Sequence, residues 1–300
     1  MELSATREEP LATPRRAEQG QLALAVRRFR RNRFATLGFF AIVVFIAVAF
    51  LAPLIAPYDP IAQEIDNALQ PPSALHWFGT DYFGRDIFSR ILYGSRVSIF
   101  VGLIVVGVAL VASLPIGLAS GYFAGWVDNI LMRIMDAILS FPPILLAIAL
   151  MGALGPDIQN VMLALGLVQL PRFARLLRSS VLSAKENLYV EAARSIGARD
   201  LRILMVHILP NVAAPIVVQA TVTFASAIIS EASLSFLGLG VQPPTPSWGR
   251  DLSEGHRYLE SAPWLAIFPT LVIMVSVLSI NFLGDGLRDA LDPRFRTLET

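Results

Sequence analysis

Residues 183–211 read SAKENLYVEAARSIGARDLRILMVHILPN. Long apolar runs flank this stretch on both sides, which makes it a connection between membrane helices. Its own pattern is helical rather than loose. Ser183 followed by Glu186 has the spacing of a capping box and predicts a helix start there. Leu188, Val190, Ala192 and Ala193 follow, and Gly197 supplies a left-handed stop. Asp200 is placed to cap a second helix, in which Leu201, Leu204 and Ile208 recur at helical spacing, and Pro210 opens the next span. The expectation is a helix–turn–helix over 183–210. Its exposed crown is read as small residues, which another protein's surface can approach closely.

Working outward, the 300 residues are 55% hydrophobic, only 16% charged and free of Cys. A soluble domain carries more charge and shorter apolar runs. Disulfides, thiolate metal sites and a Cys nucleophile are excluded. Apolar spans are predicted at 34–56, 97–127, 137–155, from 158 onward, at 212–230 and at 262–284. The fourth is the weakest, since only 158–170 is free of charge; Arg172, Arg175 and Arg178 are expected to snorkel from its last turns. Gly117, Gly121 and Gly125 recur every fourth residue, which predicts close helix packing. Arg133 and Asp136 are expected to pair at the start of the third span, and Gly155-Pro156-Asp157 to form a tight turn. Between the first two spans lies a polar segment, 57–96, broken by Pro57, Pro60, Pro71 and Pro72.

Charge orients the spans. Eight Arg fall in residues 1–33, directly before the first apolar run. The positive-inside rule explains them more simply than nucleic-acid binding does. The run is too long for a signal peptide and lacks an A-x-A-like site after it, so an uncleaved first span is expected. Leu22, Val26 and Phe29 lie at helical spacing among the Arg, as side chains resting in the headgroup region would. With six spans, both termini lie in the cytoplasm together with 19 of the 24 Lys and Arg. Five spans would send the charged 183–210 stretch outside, against the usual bias. The domain plan is therefore a cytoplasmic segment 1–33, a first helix 34–56 and an extracytoplasmic loop 57–96. A core of 97–285 carrying the 183–210 loop and a cytoplasmic tail 286–300 complete it.

Chemistry is sparse. Lys185 is the single Lys and follows Ala184, so no G-x-x-x-x-G-K-[ST] loop can hold ATP in this chain. His76, His207 and His256 are too far apart for an H-E-x-x-H zinc site, and no G-x-S-x-G elbow occurs. No catalytic residue, metal site or resident cofactor is expected. Glu231, closing the fifth span, either bonds the irregular backbone of GLGVQPP or lines a path through the membrane. Asp81, Arg85 and Asp86 either pair locally or meet a docking protein. Asp285, Arg288, Asp289 and Asp292 are read as a solvated terminus or a partner contact.

Glu191-Ala192-Ala193, Gly197 and Leu209-Pro210 together resemble the EAA loop of ABC importer permeases. His207 stands where that family usually has Ile. Further strings resemble the C-type permease of the dipeptide and oligopeptide importers: RRFRRNRFATLGF from Arg27, HWFGTDYFGRDIFSRILYGSRVSI from His76, LSFLGLGVQPPTPSWG from Leu234, APWLAIFP from Ala262 and NFLGDGLRDALDPR from Asn281. The resemblance covers nearly the whole chain after residue 27. It implies an all-α, polytopic membrane protein with six transmembrane helices and the type I importer permease fold, in a bacterial or archaeal plasma membrane. It implies that Glu191, Ala192, Ala193, Gly197, Leu209 and Pro210 couple to an ATPase. It also places Gln242, Pro243, Pro244 and Trp248, with Glu231, near an outer gate that engages a solute-binding protein. The implied partners are a second related permease, two ATP-binding cassette subunits holding ATP and Mg, the binding protein and the lipid membrane, with no nucleic acid.

The branch also includes nickel and opine importers. Gln219, Thr221, Thr223, Ser226, Ser276, Ser279 and Asn281 suggest a polar, sequence-tolerant path suited to short peptides. A nickel route would offer His or carboxylate ligands along it. A self-sufficient secondary transporter would place several charges mid-span, and almost none are there. A membrane scaffold would not need a capped helix pair between its fourth and fifth spans.

Overall fold

The computed structural model describes residues 26–291, and among them there is no β-strand. The Arg at 7, 15 and 16, Leu22, Asp292 and the tail beyond it lie outside the described residues. After a helical stretch over residues 26–31, Asn32 caps α1 (Arg33–Ile55) by accepting from the Ala35 N–H at 3.2 Å. An irregular segment leads to α2 (Ile87–Phe123), α3 (Gly125–Leu139), α4 (Pro143–Leu154) and α5 (Ile158–Ala184). Then come α6 (Leu188–Ser195), the long α7 (Asp200–Phe236), α8 (Trp248–His256) and α9 (Trp264–Leu291).

The most extensive interface joins α2 and α5. Glycines make it possible: a Cβ on Gly117 would sit 2.4 Å from Leu177 Cβ, and one on Gly121 2.7 Å from Val181 Cβ. That is the close packing expected of this spacing. Gly125 does not share in it. A Cβ there would meet nothing, and its φ of +59° serves the break between α2 and α3 instead. Next to it Ala124 holds φ +53° and ψ −156°, a conformation that penalises any Cβ.

Among the described residues four helices, α1, α2, α7 and α9, are long and apolar enough to cross a membrane; the bent pair α3–α4 makes a fifth if counted as one span. The expected six are not reproduced by that standard. α5 has the length, at 27 residues, but Arg172, Arg175 and Arg178 interrupt its second half. The third span, expected as one helix over 137–155, is two helices meeting at 89°. Pro142 and Pro143 explain it, since neither can donate to a helical ladder and Pro143 fits the first turn of α4.

Other boundaries move as well. α2 begins at Ile87, not Val97, because Asp86 accepts from the Ser89 N–H at 2.8 Å and starts the helix inside the polar segment. α9 continues to Leu291, past the boundary expected at 285. Asp289 accepts from the Asn32 side chain at 3.3 Å, which ties the two ends of the described chain together.

Candidate functional site

The 183–210 stretch folds differently from its expectation in detail. The Ser183–Glu186 capping box does not form, because Ser183 lies in the last turn of α5. Asn187 occupies the cap position of α6, yet its amide points backward and donates to the carbonyls of Ser183 (3.3 Å) and Ala184 (3.0 Å). It closes α5 rather than opening α6. Val190 and Ala193 face inward, into a cluster with Tyr122, Phe173, Leu177, Val181, Ile203, Leu204 and Ile208. Glu191 and Ala192 remain exposed.

α6 ends in a Schellman motif. Gly197 takes φ +79° and donates to the Arg194 carbonyl at 2.9 Å, while the Ala198 N–H reaches the Ala193 carbonyl at 3.1 Å. The left-handed stop expected at Gly197 is there. Asp200 does not cap the second helix. It is the first residue of α7, preceded by Arg199, and its carboxylate accepts from the Tyr122 hydroxyl at 2.6 Å. Nor does Pro210 open a new span, for α7 runs unbroken from Asp200 to Phe236. A π-helical turn over Ile203–Ile208 widens the helix just before Pro210, whose ring and missing N–H a regular ladder could not absorb. Leu209 packs against the cluster and Pro210 is exposed.

The crown of this element is not made of small residues. Leu188 is 81% exposed, Ile196 84% and Leu201 71%, with Met205 and Val206 open beside them. Large apolar side chains bracket the exposed Glu191 and Ala192. The result is an exposed apolar group around a charged centre, held on a turn stopped by Gly197.

At the opposite end of α2 the side chains are turned inward. Trp248 is 1% exposed, and its indole N–H donates to the Ile91 carbonyl at 2.9 Å. Gly94 makes room for the ring; a Cβ there would lie 2.6 Å from it. Glu231, also 1% exposed, accepts from the hydroxyls of Ser235 (2.7 Å) and Ser247 (2.9 Å), and Ser235 in turn accepts from the Val241 N–H. Its hold on the irregular loop thus runs through two serines rather than directly to backbone. Gln242, Pro243 and Pro244 are exposed at the tip, so the loop separates an open edge from a buried anchor.

Asp81, Arg85 and Asp86 pair locally, and further. Arg85 meets Asp81 at 2.5 Å and Glu254 at 3.1 Å; Asp86 meets the His76 ring at 3.0 Å. Arg90 bonds Asp251 and the Pro60 carbonyl. Burial raises the Asp251 carboxyl above its usual range even against Arg90. Burial also acts upward on Glu254, but hydrogen bonding to Arg250 and the charge of Arg85 prevail and hold it low. Sequence reasoning missed Arg90, Asp251, Glu254 and the two serines.

A third feature is a groove of about 920 Å³ lined by α3 and α5, including Asp128, Arg133, Asp136, Arg175 and Arg178. Arg175 pairs with Asp136 and Arg178 with Asp128, both at 2.5 Å. These arginines are tied to carboxylates rather than snorkelling freely, and Asp136 is taken by Arg175, not by Arg133. Among the residues expected to line a polar path, Thr221, Ser226 and Ser279 donate to carbonyls of their own helices.

Residues 113–297 match the family described as binding-protein-dependent transport system inner membrane component. Residues 20–72 match the N-terminal transmembrane domain of oligopeptide transport permease C. This chain belongs to the binding-protein-dependent importer permeases. The permease is 47% identical to the dipeptide transport system permease protein DppC of Alkalihalophilus pseudofirmus, over 91% of this chain and 90% of that protein. It is 48% identical to the glutathione transport system permease protein GsiD of Escherichia coli, over 90% and 89%. A chain of the inward-facing MetNI methionine ABC transporter shares its fold, with TM-score 0.57 and 19% identity over 69% of this permease and 98% of that chain. The all-α, type I importer permease fold follows, in an inner-membrane component. Membership also sets aside a self-sufficient secondary transporter and a scaffold.

Proposed function

We propose that this permease forms half of the translocation path of an ATP-driven importer of short peptides. A second related permease supplies the other half. Two ATP-binding cassette subunits hold ATP and Mg, and an extracytoplasmic solute-binding protein delivers cargo. The chain binds no cofactor of its own and hydrolyses nothing. Its six crossings, with α3–α4 and α5 counted among them, put both termini in the cytoplasm of a bacterial cell, and no nucleic acid is a partner.

The observation that carries the coupling role is the apolar crown of Leu188, Ile196 and Leu201 around Glu191 and Ala192, on a turn stopped by Gly197. Leu209 and Pro210 belong to the same element as the shoulder where it joins α7. Gln242, Pro243 and Pro244 face the binding protein from the other end, anchored by Trp248 and Glu231. Peptide cargo draws its support from relatives named for dipeptide and glutathione transport, the latter itself a tripeptide.

Two measurements test this reading. Gly197→Val forces a β-branched residue to φ > 0, at about 1–3 kcal/mol of local strain. The variant is expected to insert in the membrane but fail to retain the ATPase in a pull-down; retention equal to wild type refutes the docking role. Reconstitution of the whole complex with its cognate binding protein is expected to give ATP-dependent uptake of labelled di- to pentapeptides. Uptake of a nickel chelate or an opine instead would replace the cargo and leave the importer standing.

A further inference from the structure

Three parts of the coupling element converge on one point at the end of α2. Lys185, before α6, donates from Nζ to the Gly121 carbonyl at 3.2 Å. Arg194, on α6, holds its guanidinium 5.3 Å from the centre of the Tyr122 ring. Asp200, beyond the Gly197 turn, accepts from the Tyr122 hydroxyl at 2.6 Å. Tyr122 is buried, and its ring shares the cluster that receives Val190 and Ala193. Both limbs of the turn are therefore gripped by a single side chain.

The position of that side chain matters. Tyr122 is the penultimate residue of α2, and the chain leaves the helix axis at Ala124. From there α2 extends 37 residues, roughly 55 Å at 1.5 Å per residue. Its first turns hold Asp86, Arg90, the Ile91 carbonyl and Gly94, which bind Ser89, Asp251 and Trp248. One helix thus joins the coupling element to the Trp248 loop.

We infer that Tyr122 is a positioning residue of the importer: it locks both limbs of the coupling element to α2, so that displacement at either end of this helix reaches the other. The inference rests on the docking reading above. It differs from simple packing in what the hydroxyl does. A phenyl ring fills the cluster and still faces the Arg194 guanidinium, whereas the bond to Asp200 needs the oxygen. A hydrogen bond to a carboxylate is among the stronger ones a protein makes.

The test uses the complete complex in proteoliposomes with its binding protein, carrying whatever ligand it is purified with. The readout is the factor by which added binding protein stimulates ATP hydrolysis. Tyr122→Phe is expected to cut that factor about tenfold. Asp200→Ala is expected to match it, while Asp200→Asn, which keeps an acceptor oxygen, restores most of the stimulation. The double variant Tyr122→Phe with Asp200→Ala should be no worse than either alone, since both remove one contact. Wild-type stimulation in Tyr122→Phe overturns the proposal, as does simple multiplication of the two losses. Loss of the ATPase from the Tyr122→Phe complex also overturns it, because the residue would then hold the docking surface together rather than transmit through it. Retention of the ATPase by Gly197→Val is a separate failure, of the docking reading alone.

Discussion

The two ends of α2 are finished in opposite ways. Around Trp248 the ionisable groups Arg85, Arg90, Asp251 and Glu254 are drawn inside and paired with one another, and the largest aromatic is fully covered. Around Tyr122 the interior is just as tight, but the element above it leaves Leu188, Ile196 and Leu201 open. Desolvating a charge is costly unless a partner stands beside it, so the Trp248 end is stable only as an assembled whole. Exposed Leu and Ile are tolerated on a folded surface, and covering them with another surface is favourable. One end is completed within the chain, while the other leaves its apolar side chains open.

The largest effects are expected where the chain completes itself. Trp248→Ala empties a site that Gly94 was needed to open, and should destabilise by about 3–5 kcal/mol. Arg90→Met removes the partner of buried Asp251 and should cost a similar amount, about 3–5 kcal/mol. Thermal unfolding of the purified protein in detergent measures both. A neutral Arg90→Met would mean that Asp251 is already discharged without it, and the contrast between the ends would shrink to Trp248.

A smaller effect separates the two acids of the same end. Glu254 is held below its ordinary value, so the stability it contributes is present above the unfolded pKa and is lost as pH falls through the folded value. Asp251 is raised, so on acidification the folded state takes up its proton first and gains relative to the unfolded chain. The two therefore oppose each other, with Glu254 governing the lower part of the acid limb. Glu254→Gln should cost about 1 kcal/mol at neutral pH. It should also flatten the loss of stability below the ordinary Glu range, seen as unfolding temperature against pH. An acid limb of unchanged slope would remove Glu254 from the pairing.

What could be read from sequence follows the same division. Gly197 was legible because a Schellman stop is local, written within a few residues. The apolar runs of α1, α2, α7 and α9 were legible by length. Asp200 was misread because capping and long-range pairing use the same carboxylate, and nothing nearby announced Tyr122. Ser183 was misread because an amphipathic, Arg-bearing α5 runs further than its apolar part. Pro142 and Pro143 bent the third span while leaving its hydropathy untouched. Arg90 and Asp251 stand 161 residues apart, and no local pattern links them. The exposure of Leu188, Ile196 and Leu201 is not legible because a short helix with apolar residues on several faces does not announce which face is buried.

The smallest effect on stability is expected at the crown, where it is also the most informative. Leu188→Ser and Ile196→Ser change side chains that touch little of their own chain, so each should alter stability by no more than about 0.5 kcal/mol. If a partner covers these positions, the same changes forfeit the burial of a Leu or Ile, about 1.5–3 kcal/mol. That corresponds to roughly ten- to hundredfold weaker association with the ATPase. The contrast is with Trp248→Ala, which should lower the unfolding temperature while leaving the crown's own side chains unchanged. Binding of purified ATPase to the permease in nanodiscs, measured beside the unfolding temperature, reads both quantities on one sample. Normal stability with lost association fits a surface completed by a partner. Wild-type association in both variants would mean that the partner does not cover this crown, and that the exposed side chains meet lipid or solvent instead.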